Sequence, residues 1–307
     1  MKIQRLLVSL EIAVRGHLLN PFWKDKSSRW RKKKEVQTQI LTRYLKRYLY
    51  AAEAVKETEV VNNDAEDRIF ALWLQGEENA PELVKACIRS MRHHCTQRLV
   101  VLDEKTTFEY IDLPTEIVEK YKAGKIRRAH FADICRVELL YRYGGYWFDA
   151  TLFVTSPIPD EIKEQDFFVY LTNPENFNIG GPYCMMQNYF IRARKGSFLL
   201  EAWRAMILAY WMNEDKKIHY FMHQLLFKVL VTNNDKAAKY FDAMAHHVQD
   251  PTHRVWWGFG DKPYDEQKFK ELTSQAFFQK TTNNHKPEDI VKGSFIDEMI
   301  NRMYISK

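Results

Sequence analysis

The segment Ala129-His130-Phe131-Ala132-Asp133-Ile134-Cys135-Arg136-Val137-Glu138-Leu139-Leu140-Tyr141-Arg142-Tyr143-Gly144-Gly145-Tyr146-Trp147-Phe148-Asp149-Ala150-Thr151 joins a helical pattern to an extended one through a glycine pair. Ala129 to Tyr143 predicts a helix, and Gly144-Gly145 ends it. Tyr146 to Val154, closed by Pro157 and Pro159, predicts one strong strand. On a helix, Asp133 and Arg136 are three apart and share a face. On a strand, Asp149 and Thr151 are two apart and also share a face. The glycine turn returns the strand past the helix, so four polar side chains can converge on one pocket.

Upstream the same alternation continues. Arg68 to Leu74 predicts a strand ending at Gln75-Gly76, Pro81 opens a helix through Met91, and Arg98 to Leu102 predicts a second strand. Asp112 to Tyr121 predicts a further helix. Strands alternating with helices imply an α/β fold with a largely parallel sheet and ligands at the strand ends. The polar run Glu57 to Asp67, with Asn62-Asn63-Asp64, marks a boundary. It divides the chain into an N-terminal arm, residues 1–64, and a body, residues 65–307.

The arm is chemically distinct. Residues 1–50 carry 13 Lys and Arg against Glu11, Asp25 and Glu35, whereas the rest of the 307-residue chain is slightly acidic. Two amphipathic helical patterns flank the run Lys24 to Lys34: Ile3 to His17, and Ile40 to Ala52. Basic residues beside Trp23 and Trp30 suit an anionic membrane interface. A helical hairpin packed on the body is the competing reading. No nucleic-acid-binding module accompanies the charge, which argues against a nucleic-acid partner. No run of 18 apolar residues occurs, Glu11 and Arg15 interrupt the first apolar stretch, and Cys87, Cys95, Cys135 and Cys184 form no Cys-x-x-Cys pair. Together these predict a cytoplasmic protein with reduced thiols, peripheral at the inner face of the cell membrane.

Each residue type in the central segment suits a sugar nucleotide. Asp133 and Arg136 can accept from and donate to sugar hydroxyls. Asp149 at a strand end can hold a divalent cation that neutralises a diphosphate. His219 and His223 have the spacing of a zinc pair, but no Glu base or third ligand lies nearby, so a packed helix is the better reading.

The run Asp133-x-x-Arg136, a Leu/Tyr-rich helical turn, Gly144-Gly145, an aromatic and Asp149-x-Thr151 resembles the bacterial-type capsular polysaccharide synthesis proteins and the related glycosyltransferase family 32. The likeness covers roughly residues 66 to 300 and is specific at 130–153. It implies the GT-A fold, a Rossmann-like nucleotide-sugar-binding architecture. It also implies a hexosyltransferase-type glycosyltransferase that uses a nucleoside-diphosphate-sugar donor, a UDP-sugar foremost, with retention of configuration. The implied acceptor is a growing or lipid-linked cell-surface polysaccharide.

Carried over by residue, the resemblance makes Asp133 and Arg136 the pair on the donor sugar and Asp149 the first acid of an Asp-x-Asp motif. Trp73, with Leu74 and Gln75, matches the aromatic segment on the donor base. Asn188 and Gln224 are candidates for the reaction centre. Lys280 to Lys286, with His285, is a candidate to meet the diphosphate as the C-terminal tail folds back. Thr151 stands where the broader pattern has a second acid, although the capsular subgroup often reads Asp-Ala-Thr. A manganese or magnesium site at Asp149 therefore has one carboxylate only. Two alternatives stay open: an inverting transferase with a carboxylate base from the C-terminal half, and a degenerate transferase acting as a membrane-docked scaffold.

Overall fold

The structure is a computed structural model that describes residues 2–18, 26–61, 67–173, 175, 183–284 and 286–301. The arm forms α1 (Lys2–Leu18), α2 (Lys26–Leu45) and α3 (Leu49–Glu53). Helices α1 and α2 lie antiparallel: Arg43 pairs with Glu11, and Arg47 Nη1 donates to Gln4 Oε1 at 2.6 Å. The inner face of α2, with Ile40, Leu41, Tyr44 and Leu45, joins the same hydrophobic core as the strands of the body. The buried Glu214 fastens this hairpin, accepting from Tyr44, from Tyr48 at 2.9 Å and from Arg5 at 3.2 Å. The arm is thus packed on the body, while Leu6, Leu7, Leu10 and Val14 face solvent at 69%, 58%, 60% and 48% exposure.

The body begins with β1 (Arg68–Leu72), α4 (Glu82–His94) and β2 (Arg98–Leu102), a parallel crossover unit. Next come α5 (Glu104–Tyr110), α6 (Thr115–Lys122) and α7 (Arg128–Tyr143). The helix expected over 112–121 is α6, which starts three residues later, and α5 is a further helix before it. Asp103 starts α5 with a capping box to Thr106, and Pro114, which a helix interior does not tolerate, caps α6.

Helix α7 ends at Gly144, and β3 (Gly145–Phe148) pairs parallel to β1. Gly145 sits at φ +95°, and a Cβ there would lie 2.3 Å from the Arg68 carbonyl oxygen. Only glycine lets β3 approach β1 so closely from this turn.

The long strand expected over 146–154 is divided. β3 stops at Phe148, Asp149 to Thr151 form a turn closed by Leu152 N–H to Asp149 O at 3.0 Å, and β4 (Leu152–Val154) enters a second sheet. Both halves are wholly buried, so the apolar run carried no mark of the break. Asp149 and Thr151 accordingly sit in a turn, not on one face of a strand.

The remaining elements are α8 (Asp160–Lys163), β5 (Phe167–Leu171), β6 (Met186–Ala193), α9 (Phe198–Asn213), α10 (Met222–Asn233), α11 (Asp235–Ala243), α12 (Arg254–Gly258), α13 (Glu266–Thr273), β7 (Phe278–Lys280) and α14 (Phe295–Asn301). The main sheet has the order β2-β1-β3-β6-β5, in which β6 runs against both neighbours and the other four strands share one direction. The mostly parallel α/β sheet expected from the sequence is therefore present. β7 pairs antiparallel with β4, setting Lys280 opposite Leu152. A second apolar cluster, built from Leu83, Cys87, Phe153, Phe269 and Phe295, holds α12 to α14 against α4.

Candidate active site

The chain leaves β1 through α4 to β2 on one side and returns through α7 to β3 on the other. The connections after β1 and β3 diverge, so a crevice opens beyond their C-terminal ends, the usual place for a ligand in such sheets. A cleft of about 300 Å³ occupies it, lined by Leu72, Trp73, Ala129, Ala132, Asp133, Arg136, Trp147, Asp149, Ala150, Thr151, Asn188, Tyr220, Gln224, Lys280 and Asn283. Seven of the candidates drawn from the sequence meet here: Trp73, Asp133, Arg136, Asp149, Thr151, Asn188 and Gln224.

Arg136 organises the floor. Its guanidinium donates to Asn188 O at 2.6 Å and pairs with Asp133 and Asp149 at 3.3 Å each, lying 5.0 Å from the Trp147 ring centre. The Trp147 indole N–H donates to Asp149 Oδ1 at 2.9 Å, so that carboxylate oxygen has two donors. From the other side, Gln224 Nε2 donates to Asn188 Oδ1 at 3.1 Å, and Asn188 Nδ2 donates to Asp133 Oδ1 at 2.9 Å. The buried Trp73 Nε1 and Gln224 Oε1 have no protein partner. A buried polar atom left so costs about 1–3 kcal/mol, which a hydrogen-bonding ligand would recover.

Behind this floor, Asp133 Oδ2 faces two buried imidazoles, His130 Nδ1 at 3.4 Å and His223 Nδ1 at 3.9 Å. Burial alone would raise the Asp133 pKa, but His223, Arg136 and His130 outweigh it and hold the carboxyl well below the usual range. Burial pushes His223 down to about 3, so it is neutral near pH 7. Trp211 Nε1–H, a donor only, points at His223 Nε2 at 3.4 Å. The His223 proton therefore sits on Nδ1, towards Asp133.

These three residues are also the metal-capable group among the described residues, with ligand atoms within 4.8 Å of one another. Two imidazoles suit zinc better than manganese or magnesium. His219 does not join them: its Nδ1 accepts from Phe221 N–H at 3.2 Å, and its ring packs on Tyr183 at 4.3 Å.

Not every candidate converges. Leu74 packs against the core, Gln75 is exposed in the turn after β1, and neither lines the cleft. His285 lies outside the described residues, and Lys286 pairs with Glu288 at 3.8 Å. The four cysteines are free thiols.

Sequence reasoning missed Trp147, Tyr220 and the His130–His223 backing. For Trp147 a signal existed, two positions before Asp149 in an alternating segment. For the histidines none did, because 93 residues separate them. Of the run Lys280 to Lys286 expected near the diphosphate, Lys280 reaches the cleft. It is the most engaged cation of that tail, donating to Thr151 Oγ1 at 2.6 Å and to Thr281 O at 3.0 Å.

A family model described as "Capsular polysaccharide synthesis protein" matches residues 20–299. The O-glycosyltransferase PaGT of Phomopsis amygdali is 26% identical over 185 residues, which is 53% of this chain and 43% of that protein. The chain thus spans less than half the length of that relative. No solved structure matches the chain. No helix among the described residues is long and apolar enough to cross a membrane.

Proposed function

The chain belongs to the capsular polysaccharide synthesis protein family, and on that premise we propose that it moves a hexosyl group from a UDP-sugar to a growing or lipid-linked polysaccharide on a GT-A fold. The observation that carries this reading is the meeting of Trp73, Asp133, Arg136, Asn188, Gln224 and Asp149 in one crevice beyond β1 and β3. Trp73 offers an indole for the base, and the Asp133–Asn188–Gln224 chain offers alternating acceptors and donors for sugar hydroxyls. The curated relative's name, an O-glycosyltransferase, supports transfer to an oxygen acceptor.

Retention fits the charge arrangement. Among the described cleft-lining residues the carboxylates are Asp133 and Asp149, and both pair with Arg136. Neither is a free base for back-side attack. In front-face transfer the bond from the anomeric carbon to the diphosphate breaks with its electron pair going to the diphosphate. The acceptor oxygen bonds to the same face of that carbon, and its proton passes to the departing phosphate oxygen. Cationic and hydrogen-bonding groups fixed before the reaction then do most of the stabilisation.

A fold of this class implies a manganese or magnesium ion at the acidic motif. Here the residues do not fit one. A hard dication needs about six oxygen ligands, yet Thr151 supplies a neutral hydroxyl that already accepts from the Lys280 ammonium at 2.6 Å. The transfer step uses the protein's own cations and donors.

The arm supports work at a membrane surface. The exposed Leu6, Leu7, Leu10 and Val14 share one side of α1, opposite Val8 and Ile12, which pack inward, and Arg31, Lys32, Lys33 and Lys34 follow on α2. An apolar stripe beside a basic cluster suits an anionic lipid interface, at the inner face of the cell membrane in this reading. Trp23, Lys24 and Asp25 lie outside the described residues.

The donor reading is tested by thermal shift with a panel of nucleotide sugars, since a ligand of the folded state raises Tm. One nucleoside series is expected to stabilise the protein. The absence of a shift with every sugar nucleotide at millimolar concentration would overturn the donor assignment.

A further inference from the structure

We infer that Lys280 is a built-in counter-charge for the departing diphosphate, standing in the place where a divalent cation would otherwise act. The inference rests on the donor reading above and adds the residue that receives the leaving group.

The Lys280 side chain lines the cleft together with Asp149 and Thr151, the two residues at the metal position of the acidic motif. The backbone fixes this arrangement. Thr281 N–H and Thr281 Oγ1 each donate to Thr151 O at 2.9 Å, tying the end of β7 to the turn that carries Asp149.

An ammonium has three donors. Thr151 Oγ1 takes one and Thr281 O another. The third is left for a ligand, and the first two hold the nitrogen in place before that ligand arrives.

With an acid at position 151, Lys280 would form an intimate ion pair and its charge would be spent within the protein. Thr151 anchors the nitrogen without neutralising it. The other cation lining the cleft is already committed, since Arg136 faces Asp133, Asp149 and the Asn188 carbonyl. Burial lowers the Lys280 pKa and Asp149 pulls it back up, so an arriving diphosphate would reinforce the charged form. The same ammonium explains why a metal does not fit: a dication on Asp149 and Thr151 would sit against a like charge. The Thr at 151 and the Lys at 280 are thus one device rather than two separate departures.

The test is calorimetric binding of UDP and of uridine to the full chain, with EDTA and then with manganese, for wild type, Lys280→Met and Lys280→Met/Thr151→Asp. Expected results are UDP binding by wild type unchanged by EDTA, and a ten- to hundredfold weaker UDP affinity in Lys280→Met, roughly that of one lost charged hydrogen bond. Uridine affinity and Tm of Lys280→Met should stay near wild type. The double variant should regain UDP binding only with manganese. Wild-type UDP binding that disappears in EDTA would overturn the inference and leave the donor reading standing. Loss of uridine affinity along with UDP in Lys280→Met would reduce Lys280 to a structural strut, and equal UDP affinity in wild type and Lys280→Met would also overturn it. A wild type that binds none of the five common nucleoside diphosphates would instead overturn the donor reading on which it rests.

Discussion

Replacing Arg136 by Met removes the cation that three acceptors of the cleft floor share. Arg136 is 6% exposed, its partners Asp133 and Asn188 O lie within 3.3 Å, and Asp149 lies at the same distance. Breaking a buried ion pair from one side costs about 3–5 kcal/mol, because the partner charge is left uncompensated. For a chain of this length unfolding entropy is about 0.6 kcal/mol per degree, so Tm should fall by about 5–8 °C at pH 7. The deficit should also depend on pH with a definite sign. Asp133 is held below its unfolded pKa, so its contribution is full above pH ~4 and is lost as pH falls through the folded value. Without Arg136 that depression is smaller. The gap between wild type and Arg136→Met should therefore stay full down to the folded Asp133 pKa of the variant and narrow as pH falls through it. Urea unfolding of both proteins at pH 7, 5 and 3.5 measures it. Equal stability at pH 7, or a gap that widens towards acid, would refute the picture of a carboxylate floor held together by Arg136.

Other outcomes follow from the same contacts. Arg136→Lys keeps the charge but replaces a planar fork with a point donor, so donor affinity should fall about tenfold or more in calorimetry. Gly145→Ala should be destabilised by more than about 2 kcal/mol in urea melts, since its Cβ would meet the Arg68 carbonyl oxygen at 2.3 Å and its φ is +95°. At the membrane, replacing Arg31 to Lys34 by Gln should weaken sedimentation with anionic vesicles, as each nearby cation contributes about 1 kcal/mol. Leu6→Ser/Leu10→Ser should remove the part of that binding which high salt does not release. Vesicle binding unchanged in both variants would assign the arm to packing alone.

Much of this architecture was legible because local signals agreed. Gly144-Gly145 after an apolar helical pattern placed the α7–β3 turn, and the spacing of Asp133 and Arg136 placed both on its inner face. The division of 146–154 was not legible, because Leu152, Phe153 and Val154 are as apolar as the strand before them and only their partners differ. The pairing of Lys280 with Thr151 was equally hidden. It depends on β7 returning to β4 across more than 120 residues, a contact that no local pattern encodes. The arm's two-faced helix α1 could be read as amphipathic, but which of its faces packs inward is decided by Arg5 reaching the buried Glu214.

The most direct test of the central claim is transfer from the stabilising UDP-sugar to an oligosaccharide acceptor. Nucleoside diphosphate release and product configuration would be followed for wild type and for Asp149→Ala. Asp149 is a quarter exposed and lies in a turn, so the variant should fold, with turnover lowered about a hundredfold because Arg136 and the Trp147 indole lose the acceptor that fixes them in the cleft. The account predicts wild-type turnover with the anomeric configuration of the donor kept in the product. Equal turnover by the two proteins, or an inverted product, would contradict it.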